Sequence, residues 1–151
     1  MSARRLRYVE DFAPGLEFEL GSTQLTAERI VAFSEEHDPQ SFHLDDEAAA
    51  DSPFGRLVAS GWQTSTTIVR LWLDYLVPRG GRMVCPTVEV EWPRAVAAGD
   101  TVHARARIAD VAPSRSNPTR GWIHVELEGR NQSGEIVCVV RARSLLDRAP
   151  A

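Results

Sequence analysis

An aspartate and a histidine lie close together in a segment that cannot continue as a helix. Residues 37–45 read HDPQSFHLD, so Asp38 and His43 are separated only by PQSF. Pro39 fixes its own φ and disfavours helical angles for the residue before it, which predicts that a helix ends near His37 and an irregular loop follows. A carboxylate and an imidazole in one loop can act on one reacting water as general base and general acid. Taken alone, the spacing is more typical of a loop in which Asp38 caps a turn and His43 lies half-exposed.

A second candidate feature is the tripeptide SGW at residues 60–62, which opens a long apolar stretch. The first backbone N–H groups of a helix have no partner within the helix and point outward, so a helix start can bind a carbonyl oxygen or an oxyanion. We therefore expect Ser60, Gly61 and Trp62 to contribute to substrate binding. The alternative is that Gly61 only lets the helix begin close to a neighbouring sheet.

Three motifs in this order resemble the MaoC-like dehydratases, which are related to the (R)-specific enoyl-CoA hydratases: HDPQSFHLD at 37–45, SPFG at 52–55 and ASGW at 59–62. The resemblance implies a hot dog fold, in which a curved antiparallel sheet wraps around a long central helix. It also implies an enzyme in which Asp38 and His43 activate water for addition to an enoyl thioester, while the Gly61 N–H binds the thioester carbonyl. The product would be a 3-hydroxyacyl thioester, and the reverse reaction is a dehydration.

The same resemblance implies an acyl-CoA or acyl-carrier thioester as the substrate, with no other cofactor. In some of these hydratases a serine in the central helix supports the aspartate, and the corresponding position here lies near Val69, so another group must support Asp38. Two other functions stay open. A hot dog thioesterase would direct the water at the carbonyl carbon, and an acyl-thioester-binding subunit would have no activity.

Charged residues elsewhere offer two further candidate sites. Arg79 and Arg82 flank a Gly-Gly turn and could bind the phosphates of coenzyme A, although arginines in a turn are commonly surface charge. The loop acids and histidines carry metal-binding atoms, but their spacing matches no known ligand pattern, so we expect no metal there. The residues concerned are His37, Asp38, His43, Asp45 and Asp46.

The helices that must position the candidate loop can be predicted from caps and periodicity. Thr26 can cap a helix that delivers the chain to Asp38, and Asp45 or Asp46 can cap a short helix after the loop. The stretch 61–77 is apolar on nearly all sides in its second half, which predicts a buried central helix.

The remaining chain is β in character. Alternation of apolar and polar residues predicts a first strand at 16–20 that ends at Gly21, and later strands connected by hairpins at 84–92, 102–111, 122–130 and 136–146. A helical run followed by four consecutive strands indicates an α+β domain with an antiparallel sheet packed on a helix. The long edge strands of such a sheet can pair with another copy, so we expect a homodimer or a larger homo-oligomer.

Composition and charge restrict the class of protein. The 151 residues, 43% hydrophobic and 25% charged, fit one domain spanning 1–151 with its own core. A net charge of −4 and the absence of an aromatic-basic motif argue against nucleic-acid binding. No stretch reaches the length of a membrane span and no leader is evident, so we expect a cytoplasmic protein. Cys85 and Cys138 are too far apart for a metal or redox motif and are expected to be reduced core residues.

Overall fold

A computed structural model describes residues 6–76 and 82–151. These residues form three α-helices, five β-strands and two short 3-10 turns, at Val9–Asp11 and Ser41–His43. In chain order the elements are β1 (Glu17–Gln24), α1 (Ala27–His37), α2 (Asp46–Ala50), α3 (Gly61–Leu76), β2 (Val84–Glu91), β3 (Thr101–Pro113), β4 (Arg120–Arg130) and β5 (Ile136–Asp147).

The five strands form one antiparallel sheet in the order β1-β3-β4-β5-β2. Helix α3 packs against β1, β3, β4 and β5. The predicted α+β architecture, with an antiparallel sheet packed on a central helix, is therefore confirmed. Near-continuous registers join β3 to β4 and β4 to β5, so these strands are connected by hairpins as expected.

The expectation of hairpins throughout is wrong for β2, which pairs with β5 rather than with β3, its successor in sequence. The connection between β2 and β3 runs past the start of α3, where the Ala59 N–H donates to the Val96 carbonyl at 2.8 Å and Val58 forms a bridge with Ala97. This connection takes the chain from the edge strand β2 to β3, which lies next to the opposite edge strand β1. It also brings the end of β2 next to the first turn of the central helix.

Helix α3 is buried on one face rather than on nearly all sides. Ile68, Trp72 and Leu76 recur every fourth residue and are buried, whereas Tyr75 is exposed and Arg70 pairs with Asp74 at 2.8 Å on the solvent side. The sheet covers only the face that turns towards it, which explains the difference. The described helix has 16 residues.

No helix in residues 6–76 and 82–151 is both long and apolar enough to span a membrane.

Two local predictions fail because of backbone geometry at the sheet edges. Strand β1 continues through Gly21, which takes a φ of 97° at a bulge opposite β3, a conformation that glycine adopts without strain. Cys85 is exposed rather than buried, because β2 is an edge strand whose side chains are almost all exposed. Cys138 lies on β5 and is buried as expected.

Candidate active site

The end of α1 forms one side of the site. Thr26 caps this helix by accepting the Arg29 N–H, and the helix ends at His37 as predicted. Asp38 has non-helical angles, and its N–H donates to the Ser34 carbonyl at 2.9 Å. The chain then turns back through the short 3-10 turn at Ser41–His43, and Asp45 caps α2 after it. The loop therefore brings the side chain of His43 next to that of Asp38.

Asp38 and His43 are direct neighbours in the folded chain. Asp38 Oδ2 lies 3.3 Å from His43 Nε2, and the two side chains are only 17% and 6% exposed. A histidine in a solvated loop would be far more exposed, so the interpretation of His43 as a half-exposed loop residue is wrong. The geometry instead matches the predicted carboxylate–imidazole pair.

The orientation of the His43 ring determines which nitrogen faces Asp38. His43 Nδ1 lies 2.6 Å from the Val58 carbonyl oxygen, which can only accept a hydrogen bond, so Nδ1 carries the proton. A neutral ring then directs the unprotonated Nε2 towards the Asp38 carboxylate. Two acceptors face each other, and a water that donates one hydrogen to each would satisfy both. The arrangement can therefore hold a single water with its oxygen poised for reaction.

Ser60 supports the aspartate. Its hydroxyl donates to Asp38 Oδ2 at 2.6 Å, and Ser60 Oγ in turn accepts the Trp62 N–H at 3.2 Å as a cap of α3. This side chain is the supporting group that the sequence required, and it lies one residue before the central helix rather than near Val69. Because its hydrogen points at Asp38, the Ser60 hydroxyl positions the carboxylate, and a contact of Ser60 with the substrate stays a prediction.

These contacts control the ionisation of Asp38. The Ser60 hydrogen bond holds the pKa of Asp38 below its usual range against the opposing effect of burial, and a 2.7 Å bond from the Gln40 amide to Oδ1 lowers it further. When His43 is protonated, its charge acts in the same direction. Asp38 is therefore a carboxylate at neutral pH. A carboxylate with such a lowered pKa is a weak base, so it keeps its charge and accepts hydrogen bonds from water or from an imidazolium ring.

Gly61 begins α3 beside this pair. Within the described residues its N–H has no hydrogen-bond acceptor, and Gly61 lines the same pocket as Asp38 and His43. A Cβ added at Gly61 would lie 2.7 Å from the Trp92 ring, so a glycine is also required for packing. The two interpretations of Gly61 are compatible, since the N–H and the Cα serve different contacts.

The pocket has a volume of about 260 Å³ and is mainly apolar. Phe42, Phe54 and Val96 line it, and Trp62 and Trp92 meet there edge to face, with ring centroids 5.1 Å apart. The position of Trp92 was not predicted from the sequence. The only available signal was that its Trp-Pro-Arg segment follows a strand directly.

The arginines predicted to bind phosphate do not line this pocket in the described residues. Arg79 lies outside the described residues, and Arg82 is exposed elsewhere. Arg94 lines the pocket instead, with its Nε 3.4 Å from Glu135. The loop acids and histidines considered as metal ligands do not form a cluster, and no group of three such residues within 6–76 and 82–151 could hold a metal ion.

Comparisons with known proteins identify the family of this chain. A family model described as a MaoC like domain matches residues 11–128. A 3-hydroxybutyryl-CoA dehydratase of Methylorubrum extorquens is 30% identical over 112 residues, which cover 74% of this chain and 69% of that protein. An uncharacterized protein of Bacillus subtilis, YdeM, is 33% identical over 66 residues, so the match covers 44% of this chain and about half, 47%, of that relative.

Solved structures identify the fold. The crystal structure of a MaoC-like dehydratase from Rhodospirillum rubrum has a TM-score of 0.88 and 36% identity, covering 95% of this chain and 99% of that one. The R-hydratase PhaJ1 of Pseudomonas aeruginosa has the same fold, with a TM-score of 0.76 at 18% identity over 94% of this chain and 86% of that one. The hot dog fold predicted from the three motifs is confirmed.

The role of Ser60 can be tested by titration. Ser60→Ala removes the hydrogen bond that contributes most to the lowered pKa of Asp38, so we expect the carboxyl to titrate at higher pH in ¹³C NMR spectra. Gln40→Ala removes the weaker support on the other oxygen and should raise the pKa less. Because the pKa of Asp38 is lower in the folded than in the unfolded state, its ionisation stabilises the folded state above the unfolded pKa. This stabilisation is lost as the pH falls through the folded pKa, and both variants should lose it at a higher pH than the wild-type protein.

An unchanged titration of Asp38 in Ser60→Ala would show that Ser60 does not lower the pKa of Asp38.

Proposed function

Because this chain belongs to the MaoC-like domain family, we propose that it adds water across the double bond of a trans-2-enoyl thioester to give a 3-hydroxyacyl thioester, or catalyses the reverse dehydration. The observation that carries the proposal is the 3.3 Å contact between Asp38 and His43 in a pocket that also contains the start of α3. A water between two acceptors and a carbonyl at a free N–H are the two requirements of this reaction.

The proposed reaction proceeds through an enolate. The water oxygen forms a bond to C3 of the enoyl group while one of its protons moves to His43 Nε2. The π electrons shift towards the thioester oxygen, where the Gly61 N–H stabilises the negative charge. Asp38 stays ionised and stabilises the imidazolium, which then returns the proton to C2. The sum is one water added, and no electron is gained or lost, so the proposed reaction needs no redox cofactor.

Charge stabilisation by the Gly61 N–H is expected to supply much of the rate. A donor that is already oriented towards a developing oxyanion contributes about 2.7–4 kcal/mol. The pair Asp38 and His43 is expected to increase the rate further, because the water is held between the two groups before the substrate binds. Each contact is made by a fixed group, since Ser60 holds Asp38 and the Val58 carbonyl holds His43.

We propose a coenzyme A thioester as the substrate, because the relative from Methylorubrum extorquens is a 3-hydroxybutyryl-CoA dehydratase. Arg94 is the cationic side chain at the pocket within the described residues and is the candidate to contact the phosphates of the carrier. An acyl-carrier-protein thioester would present a phosphate at the same place.

We also propose a homodimer. Strand β2 is an edge of the sheet, and Val84 and Val88 on it are 51% and 53% exposed. An exposed edge strand with apolar side chains can pair with a second chain, which would cover these residues. The same strand leads directly to Trp92, so the pocket lies close to the proposed interface.

The catalytic roles are tested by conservative substitutions. Asp38→Asn keeps the size but removes the carboxylate, and His43→Gln keeps hydrogen bonding but removes the titrating nitrogen. With crotonyl-CoA, followed by the loss of enoyl-thioester absorbance, we expect each variant to lose activity by about 10²–10⁴-fold because each removes a positioned acid–base group. The double variant should be little worse than the worse single one, since both groups act on one water.

Wild-type controls separate this proposal from its alternatives. Release of free thiol without loss of the double bond would identify a thioesterase. Tight binding of acyl-CoA with no product would identify a binding subunit. Near-wild-type turnover in either single variant, with an unchanged melting temperature, would show that the residue concerned is not catalytic.

The donor role of Gly61 needs a background in which a Cβ fits. Trp92→Ala creates this space, and there Gly61→Ala keeps the N–H whereas Gly61→Pro removes it. Proline is well tolerated at the first position of a helix. We expect the proline variant to have a kcat about 10²–10³-fold below that of the alanine variant, as for loss of an oxyanion donor. Equal kcat values in two variants with matching circular dichroism spectra would exclude Gly61 as the donor.

The dimer is tested by charging the β2 edge. Val84→Lys combined with Val88→Lys should prevent strand pairing, because charged side chains on an edge disfavour it and like charges repel across a strand pair. Sedimentation equilibrium should then change from twice the chain mass of 16.7 kDa to the monomer mass. Leu16→Lys, an exposed apolar position just before the opposite edge strand, serves as the control and should remain dimeric. A wild-type monomer, or a charged variant that stays dimeric, would contradict the proposal.

A further inference from the structure

Trp92 occupies the space immediately beside the proposed carbonyl site. It follows β2, and its ring lies against the Cα of Gly61, where an added Cβ would be 2.7 Å from Cε2 and 2.8 Å from Cδ2. The ring therefore covers the first turn of α3 on the side that faces the pocket. A thioester bound to the Gly61 N–H would lie in direct contact with it.

The ring is held in place by a hydrogen bond to Ser65 and by a ring contact with Trp62. Its Nε1–H donates to Ser65 Oγ at 2.9 Å, and the Ser65 hydroxyl donates to the Gly61 carbonyl at 2.9 Å. Ser65 is buried, and Trp62 packs edge-on against the Trp92 ring. The hydrogen bond fixes the ring along the groove between Gly61 and Ser65. A rigid wall of this kind cannot move aside for a longer ligand without losing these contacts.

The direction of each arm of the thioester follows from its chemistry. The carrier arm contains charged phosphates, which remain in water because burying an unpaired charge is costly. The acyl arm must then take the apolar part of the pocket, where Trp92 stands with Phe42 and Val96. The volume of about 260 Å³ lies just below the range of roughly 300–1,000 Å³ that is typical of sites for drug-sized ligands.

We propose that Trp92 is the specificity-determining residue of this pocket and restricts the acyl group to short chains. The inference deepens the proposed hydration and rests on it for the placement of the thioester. An acyl chain that extends beyond the first few carbons along the turn from Gly61 to Ser65 meets the indole ring. The ring is 41% exposed, and its removal would lengthen the pocket along the start of α3.

The test compares chain lengths in variants that differ at one tryptophan. Trp92→Ala removes the wall, and Trp92→Phe keeps an aromatic ring but loses the bond to Ser65. Trp122→Ala is the matched control, because Trp122 lies on the outer face of the sheet beneath the Arg143 guanidinium, 3.6 Å from the ring centre. The kcat/KM of each is measured with 2-enoyl-CoA substrates of four, eight and twelve carbons.

We expect the wild-type protein to prefer the four-carbon substrate and Trp92→Ala to raise the ratio of eight-carbon to four-carbon kcat/KM by at least about tenfold, since one methylene in a fitted pocket changes this ratio by about 10–200-fold. Trp92→Phe should shift the ratio less, and Trp122→Ala should leave it unchanged. A wild-type preference for long chains, or an equal change at all lengths in Trp92→Ala, would overturn the inference.

A second measurement separates this inference from the proposed reaction. Calorimetry with butyryl-CoA and octanoyl-CoA, which have no double bond to hydrate, reports the pocket alone. A Trp92→Ala variant that gains affinity only for octanoyl-CoA supports the wall even if no enoyl-CoA is turned over. Turnover with an unchanged affinity ratio would reject the wall while the hydration stands. No binding of either ligand by the folded wild-type protein would reject both.

Discussion

The site depends on one hydrogen bond between segments that are 22 residues apart in sequence, from Ser60 to Asp38 at 2.6 Å. Through it the end of α1 is connected to the start of α3, so the carboxylate and the first N–H groups of the central helix have a fixed relation. The bond also helps to keep Asp38 ionised, so in the proposed reaction His43, and not Asp38, takes the mobile proton. Loss of this bond would leave the Asp38 carboxylate, which is only 17% exposed, with one hydrogen bond fewer, and the folded state would be less stable.

A second constraint is the close approach of backbone to side chains at two glycines. At Gly61 the Trp92 ring occupies the position of a side chain, and at Gly129 an added Cβ would lie 3.1 Å from Ile68 on α3. The first contact defines the wall of the pocket, and the second lets the helix lie close to β4. Together the two contacts fix α3 relative to Trp92 and to β4, so the pocket wall and the start of α3 keep a constant position.

The sequence predicts the features that depend on local signals. Pro39 determines where α1 ends, and alternating apolar residues identify β3 to β5 within one or two residues of their observed bounds. The pair Asp38 and His43 is predicted from its short spacing together with the resemblance to the MaoC-like dehydratases, because the spacing alone is also compatible with a turn cap and a half-exposed histidine. The support of Asp38 by Ser60, the placement of Trp92 and the pairing of β2 with β5 are not predictable in this way. They result from contacts between distant segments, for which a single sequence carries no spacing signal.

The central claim is that one pocket holds the enoyl carbon beside the water of Asp38 and His43 and the thioester oxygen at Gly61. A crystal structure of the Asp38→Asn variant soaked with crotonyl-CoA tests it most directly, because the substrate should bind without reacting. We expect C3 about 3–3.5 Å from a water that is bonded to His43 Nε2, and the thioester oxygen about 2.7–3.1 Å from the Gly61 nitrogen. A thioester oxygen bound to any other donor, or C3 turned away from His43, would contradict the account.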